Sequence, residues 1–96
     1  MQYKRVLLKL SGESLGGAKG TGLDTAMMEQ YAAEIASAVR AGTQIGIVIG
    51  GGNFWRGRSS ETIDRTKADQ IGMMATVMNC IYMSEICRFV GLSTQV

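Results

Sequence analysis

The sequence predicts an α/β fold built around a parallel sheet. Two short apolar runs, KRVLLKL at residues 4–10 and QIGIVIG at residues 44–50, each lead into a glycine-rich segment. Such runs are typical of buried strands that end in loops. Because a segment with helical periodicity lies between them, the order is strand, helix, strand. Two strands joined in this way are expected to be parallel, with a right-handed crossover.

The first strand leads into SGESLGGAKGTG at residues 11–22, which has no helical pattern and is predicted to be a loop. Asp24 is expected to cap the first helix at its N-terminus, and Gly42 is expected to follow its C-terminus. The apolar stripe of this helix repeats at intervals of three and four residues and consists of Met28, Tyr31, Ala32, Ile35, Ala36 and Val39.

A polar segment separates the second strand from a long helix predicted at residues 68–90, which Gly91 should end. Apolar residues cover most of its circumference, so one face should pack on the sheet and another should contact a further surface. One face is expected to comprise Ile71, Met74, Ala75, Met78, Tyr82, Ile86 and Phe89. Residues 92–96, LSTQV, resemble the start of a third strand. Because two strands make a poor sheet, residues 1–96 are interpreted as the N-terminal part of a larger α/β protein.

Composition excludes several classes of function. A formal net charge of +2 is too small to indicate a nucleic-acid or membrane surface, and no apolar run is long enough to cross a bilayer. The sequence contains no histidine, which excludes imidazole catalysis and histidine metal sites. Cys80 and Cys87 would lie roughly 10 Å apart along a helix, too far for a disulfide. They are interpreted as small buried residues of a protein in the reducing cytoplasm.

The candidate site lies where both strands end. Ligands of parallel sheets bind at the carboxyl ends of the strands, and here both ends are glycine-rich, with Lys9 beside one and Arg56 beside the other. The N–H groups of residues 50–52 could form a concave nest for phosphate oxygens. Lys9 would add a mobile point charge and Arg56 a planar, bidentate group. The alternative is that these glycines serve only as turn residues.

The common phosphate motifs are not satisfied. In GGAKGTG, residues 16–22, Lys19 precedes the glycine that it would have to follow in a P-loop. Trp55 stands where a dinucleotide fingerprint requires its third glycine. Two interpretations remain open for Asp69, which could be an acid favoured near a helix N-terminus or an acceptor for a sugar hydroxyl. Residues 16–22 could equally be a solvated connection.

Three segments carry a resemblance to a known family. KRVLLKLSGESL, GIVIGGGNFWRG and ADQIGMMATVMN resemble, in order and spacing, three segments of the bacterial UMP kinases (uridylate kinases) of the amino-acid kinase superfamily. The resemblance implies a three-layer α/β/α sandwich with a mostly parallel sheet, of which residues 1–96 would be the N-terminal part of a single domain. It also implies phosphoryl transfer from ATP to UMP, with Mg²⁺, giving UDP and ADP in pyrimidine nucleotide biosynthesis.

The resemblance assigns residues one by one. Lys9 and Arg56 would be catalytic, Gly51 and Asp69 would bind UMP, and no residue of the chain would ligate a metal. The ATP-binding set would be Lys9, Leu10, Ser11, Gly12, Gly52 and Arg56. The region that receives GTP as an activating effector would be Gly17, Ala18, Lys19, Gly20, Thr21 and Gly22. UTP would be an inhibitor, and the protein would be a homo-oligomer, a hexamer in the family, in which the long helix takes part in subunit contacts.

Three alternatives remain. The chain could come from another superfamily member with a carboxylate or carbamate acceptor, although Asp69 and the Arg-Gly pair after the glycines argue against this. It could come from a non-catalytic nucleotide-binding relative such as the molybdenum storage proteins, although Lys9, Arg56 and Asp69 favour an enzyme. It could also be an assembly module. The 96 residues alone are expected to be inactive, because the adenosine pocket and a catalytic aspartate would lie beyond them.

Overall fold

The computed structural model describes residues 4–55 and 62–96. The elements in chain order are strand β1 (Arg5–Leu10), helix α1 (Gly12–Leu15), a 3₁₀ turn (Gly17–Lys19), helix α2 (Thr25–Arg40), strand β2 (Gln44–Ile49) and helix α3 (Arg65–Phe89). Arg56, one of the two predicted catalytic residues, lies outside the described residues.

The two strands pair in parallel, as the sequence predicts. The register runs from Arg5 opposite Gln44 to Leu10 opposite Ile49, so both strands end at the same level. Both strands also have the same burial pattern, in which only the last residue is fully buried. The carboxyl ends of β1 and β2 therefore form one edge, at which the two following loops must meet.

Helix α2 connects the strands and packs on the core with its predicted stripe. Met28, Ala32, Ile35 and Ala36 are buried, whereas Val39 is exposed at the end of the helix. The Asp24 carboxylate accepts a hydrogen bond from the Met27 N–H at 3.0 Å, which confirms the predicted N-cap. Gly42 follows the helix with φ of +102°, the left-handed conformation that favours glycine after a helix C-terminus.

Two predictions about loops and strands are wrong. Residues 11–22 are not one irregular loop, because Ser11 caps the short helix α1 through a bond from the Ser14 N–H, and Leu15 is completely buried. Residues 92–96 form no strand within the described structure. They have no neighbouring strand with which to pair there, and Thr94 instead shares a 2.6 Å hydrogen bond with Ser84 on α3.

The sequence does not specify which face of α3 packs on the sheet. On the face that contains Ala75, Ala75 and Ile86 are buried, whereas Met74, Met78 and Phe89 are exposed. The buried residues are instead Ala68, Ala75, Asn79, Met83, Ile86 and Cys87. The reason is that the N-terminal half of α3 meets a glycine-rich loop at backbone distance, where small residues fit and large apolar ones do not. The helix also begins at Arg65 rather than at Ala68.

Helix α3 presents a second apolar surface that the described residues leave uncovered. Its exposed large side chains are Ile71, Met73, Met74, Val77, Met78, Ile81 and Phe89. Cys80 and Cys87, on the same helix, are both free, and burial raises the pKa of the Cys87 thiol. None of the described helices is long and apolar enough to cross a membrane.

Candidate functional site

The loops that follow β1 and β2 are in direct backbone contact. The N–H of Gly50 donates to the carbonyl of Leu10 at 3.2 Å, which extends the sheet by one bond beyond the strands. A Cβ atom on Gly12 would overlap the backbone nitrogen of Gly52 and would lie 2.8 Å from the carbonyl oxygen of Gly50. Only a glycine at position 12 therefore allows the two loops to approach this closely.

Two glycines of the second loop lie against neighbouring helices. A Cβ atom on Gly51 would lie 2.8 Å from the Cβ of Ala75 and 3.0 Å from the carbonyl oxygen of Gly72, both on α3. A Cβ atom on Gly52 would overlap the carboxylate of Glu13 at the start of α1. The loop is thus enclosed by α1 on one side and by α3 on the other.

These contacts explain Gly51 by space rather than by conformation, whereas a Cβ atom on Gly50 would make only an ordinary contact at 3.6 Å. None of residues 50–52 has a positive φ, so none of them adopts the left-handed backbone that an αR–αL nest requires. The Gly50 N–H is also engaged by Leu10. The predicted nest therefore lacks the Gly50 N–H, and at this edge the two loops meet through backbone atoms that no side chain separates.

The predicted ATP-binding residues lie at the end of β1. Lys9 is exposed on the strand, opposite Val48 of β2, one residue before the strand ends. Leu10 is 8% exposed and belongs to the core, so only its backbone could face a ligand. The hydroxyl of Ser11 caps α1, and its carbonyl accepts a 2.8 Å bond from the Ser14 hydroxyl. Of these residues, the structure brings Gly12 into contact with Gly52.

Trp55 joins the glycine-rich loop to the start of α3. Its indole Nε1 donates to the carbonyl oxygen of Ala68 at 2.9 Å, and its ring lies 3.6 Å from the position of a Cβ atom on Gly72. Trp55 therefore packs on α3 and links the loop to the residue that precedes Asp69.

Asp69 lies in the second turn of α3, three residues before Gly72. Its carboxylate is 3.7 Å from the Arg65 Nε, and the two side chains are 65% and 86% exposed. An exposed pair of this kind contributes little stability and is readily exchanged for another partner. Asp69 is therefore accessible to a ligand, and it is not the N-cap of the helix, a position that Asp64 occupies.

A buried pair of asparagines, which the sequence did not predict, joins the loop to α3. Asn53, in the glycine-rich loop, and Asn79, on α3, are 3% and 0% exposed. Asn79 Nδ2 donates to Asn53 Oδ1 at 2.8 Å, and Asn53 Nδ2 donates to Asn79 Oδ1 at 3.2 Å. Asn79 also donates to the Gly50 carbonyl at 2.8 Å. An asparagine within the apolar run MMATVMNC was the available signal, because a polar residue at a core position requires partners.

The same pair reaches the predicted effector region. Asn53 Nδ2 donates to the carbonyl of Gly22 at 2.7 Å, and the Gly22 N–H donates to the carbonyl of Asn53 at 2.8 Å. Gly17, Gly20 and Gly22 have φ of +65°, +70° and +67°, so this segment does use glycine for left-handed backbone. The C-terminal end of residues 17–22 is thus bonded to the loop through Gly22, while Ala18, Lys19 and Thr21 are exposed.

Sequence comparison relates the chain to characterised enzymes. The chain is 52% identical over 97 residues to the uridylate kinase of Parabacteroides distasonis, and 53% identical over 96 residues to that of Porphyromonas gingivalis. These alignments cover 99% and 98% of the chain but 41% and 40% of the two relatives. The chain therefore spans about two fifths of the length of the curated relatives that it matches.

Among solved structures, the chain is similar to UMP kinases from two other organisms. The chain is similar to the UMP kinase from Bacillus anthracis with a TM-score of 0.83 and 41% identity, over 92% of this chain and 37% of that one. For the UMP kinase from Ureaplasma parvum the TM-score is 0.85 at 30% identity, over 98% and 42% of the two chains. The resemblance to UMP kinases and the predicted α/β fold class are confirmed. The model of the amino acid kinase family matches residues 4–96, and the chain belongs to this family.

Proposed function

We propose that this chain is the N-terminal part of a UMP kinase, which transfers the γ-phosphoryl group of ATP to UMP and gives UDP and ADP. By full-length protein we mean this chain together with the remainder that its relatives carry. The observation that carries the proposal is the backbone contact between Gly12 and the loop at residues 50–52, at the carboxyl edge of a parallel sheet. The likeness to uridylate kinases at 52% and 53% identity supports the choice of acceptor.

The proposed role of each residue follows from where it lies relative to β1 and α3. Residues 9–12 follow the end of β1, where Gly12 meets Gly52, and these residues would hold the ATP phosphates. Gly51 and Asp69, on the α3 side, would hold UMP, with the accessible carboxylate accepting a bond from a ribose hydroxyl. Arg56 would act between the two nucleotides.

Phosphoryl transfer requires little covalent participation by the protein. It requires the two nucleotides to be held in line and charge on the transferred group to be stabilised. In our proposal Lys9 and Arg56 provide the positive charge, and the confined backbone of the two loops sets the separation of the nucleotides. Neither role requires a histidine, a residue that the sequence lacks.

We propose Mg²⁺ as the cofactor that enters with ATP and supplies further positive charge. Among the described residues, no group of three or more acids, cysteines or histidines could hold a metal ion. This composition fits a Mg²⁺ ion held mainly by phosphate oxygens and water, which is its usual coordination in nucleotide enzymes.

We also propose regulation and assembly for the full-length protein. Residues 17–22, which include the exposed Lys19, would receive GTP, and UTP would inhibit. The uncovered apolar surface of α3 supports a homo-oligomer, a hexamer by the family resemblance. The two free cysteines support a cytoplasmic location.

A substrate panel tests the proposed activity. Purified full-length protein with ATP and Mg²⁺ should produce ADP when UMP is the acceptor, with CMP, amino acids and carbamate giving much less. Lys9→Ala should lower the turnover by about a hundredfold or more, because it removes a charge that stabilises the transition state. A preference for a carboxylate or carbamate acceptor would replace the proposal by a different kinase of the family, and nucleotide binding without turnover would indicate a non-catalytic relative.

Residues 1–96 by themselves should have no measurable UMP kinase activity. The chain spans about two fifths of its relatives, so most of the residues that surround the nucleotides in a complete enzyme would be absent. A coupled assay for UMP-dependent ADP formation measures this directly. Turnover by the isolated 96 residues would show that both nucleotide sites lie within them.

A further inference from the structure

We propose that Asn53 and Asn79 are positioning residues that fix the glycine-rich loop and tie its position to residues 17–22. The inference rests on the proposed function to the extent that the loop at residues 50–52 is taken as a nucleotide site. It goes beyond that function because it assigns a route by which a change at residues 17–22 alters the nucleotide site.

The side-chain amides of Asn53 and Asn79 use all of their N–H donors in hydrogen bonds. Each of the two amides donates twice, once to the other amide and once to a backbone carbonyl, and the two carbonyls belong to Gly50 and Gly22. No buried side-chain nitrogen or oxygen lacks a partner within the described structure. The pair therefore has one bonding arrangement that satisfies it, and this arrangement fixes both carbonyls relative to α3.

Core packing alone does not require a pair of asparagines here. Two apolar side chains of similar volume would fill the space without the loss of solvation that buried amides undergo, and such replacements are often neutral or stabilising. Unlike two apolar side chains, an amide pair also fixes the positions of the carbonyl groups to which it donates hydrogen bonds. Its donors define where the Gly50 carbonyl lies, and Gly50 is the residue at which β2 passes into the loop.

Asn53 also links the glycine-rich loop to residues 17–22. Gly22 bonds to Asn53 through both its N–H and its carbonyl, so the two residues form a closed pair of hydrogen bonds. A displacement of Gly22 must either break these bonds or move Asn53. Since Asn53 follows Gly52 directly in the chain, the movement reaches the predicted ATP-binding loop within one residue.

Gly22→Ala in the full-length protein tests this link without disturbing the core. Gly22 has φ of +67°, which alanine tolerates poorly, while the added methyl group would meet nothing within 4 Å. The backbone is expected to relax and weaken the bonds to Asn53. We expect the KM for ATP and UMP to rise about fivefold, the effect of about one hydrogen bond. Hydrogen exchange of the peptide that contains residues 50–55 should also become faster.

Two matched variants isolate the link. Gly42→Ala introduces the same strain, at φ of +102° and again in open space, but at the opposite end of β2. It should leave both KM values unchanged. Gly20→Ala strains the same segment at φ of +70° without a bond to Asn53, and exchange of residues 50–55 should stay at the wild-type rate. A purely structural role would lower the apparent kcat through loss of folded protein and would leave KM unchanged.

The outcomes separate this inference from the proposed function. If Gly22→Ala leaves KM and the exchange of residues 50–55 unchanged, or if Gly42→Ala alters them equally, the inference is overturned. If the wild-type protein does not phosphorylate UMP, the proposed function fails, and the exchange rates of the three variants still decide whether Gly22 positions the loop.

Discussion

Gly12→Ala should destabilise the full-length protein by about 3 kcal/mol, the upper part of the usual range for overpacking. The added methyl group would overlap the backbone nitrogen of Gly52 and crowd the carbonyl of Gly50, at 2.8 Å, and the side chain of Asn53. Backbone atoms cannot rotate away as the end of a flexible side chain can, so the two loops must separate. A displacement of about 1 Å at a reaction site can reduce turnover by about a hundredfold, and we expect at least that loss of UMP kinase activity.

Gly50→Ala is the matched control for this substitution. It adds the same methyl group to the same pair of loops, but its nearest neighbour would be the Gly12 nitrogen at 3.6 Å, an ordinary contact distance. Denaturant unfolding of both variants should therefore give a loss for Gly12→Ala that exceeds that for Gly50→Ala by about 2 kcal/mol. Equal losses would mean that the loops separate easily and that glycine at position 12 is not required by space.

The sheet and α2 could be predicted because the residues that determine them lie close together in the sequence or recur at regular intervals. The two apolar runs end at glycines, and the parallel register places Leu10 opposite Ile49. The stripe on α2 could be found because residues 28, 32, 35 and 36 all face one continuous core. Asp24 could be recognised as a cap because its role depends only on the three residues that follow it.

The face of α3 could not be predicted, because its partner is not a uniform apolar surface. Hydrophobicity placed Met74 and Met78 on the same face as Ala75, yet Gly51 lies so close to the helix that Ala75 and Gly72 are the residues in contact. A hydrophobic pattern shows which residues favour burial and contains no information about a neighbouring backbone that leaves no room for a Cβ atom. Asn79 was missed for the same reason, since its partners lie 26 and 29 residues away in the sequence.

The role of the glycines at the candidate site was predicted only in part. The sequence suggested glycines that expose N–H groups in a nest, and the structure shows in addition that Gly12 and Gly51 allow close packing between α1, the loop and α3. Both explanations require residues without a Cβ atom, so composition alone cannot separate them. The distinction matters for design, because a nest tolerates little change in φ, whereas a close contact tolerates little added volume.

Asn79→Asp should destabilise the full-length protein by about 4 kcal/mol at pH 7, within the usual range for an uncompensated buried charge. The substitution removes the two donors that Asn79 offers, to Gly50 and to Asn53, and places a carboxyl at a site with no solvent exposure. Burial and the facing carbonyl of Gly50 both disfavour the ionised form. The pKa of the introduced carboxyl in the folded protein should therefore lie above its ordinary value of about 3.9.

This shift gives the variant a pH dependence with a definite sign. A carboxyl whose folded pKa is raised destabilises least below its unfolded pKa, where it is protonated in both states and its hydroxyl can donate to Gly50. The destabilisation relative to wild type should accordingly grow from about 2 kcal/mol near pH 4 to the full value at pH 7. Gln30→Glu makes the same amide-to-carboxyl exchange on the exposed side of α2 and should change stability by less than about 0.5 kcal/mol at either pH. A loss for Asn79→Asp that does not vary with pH would mean that water reaches the carboxyl, and that the amide pair is not a closed, dry connection between α3 and the glycine-rich loop.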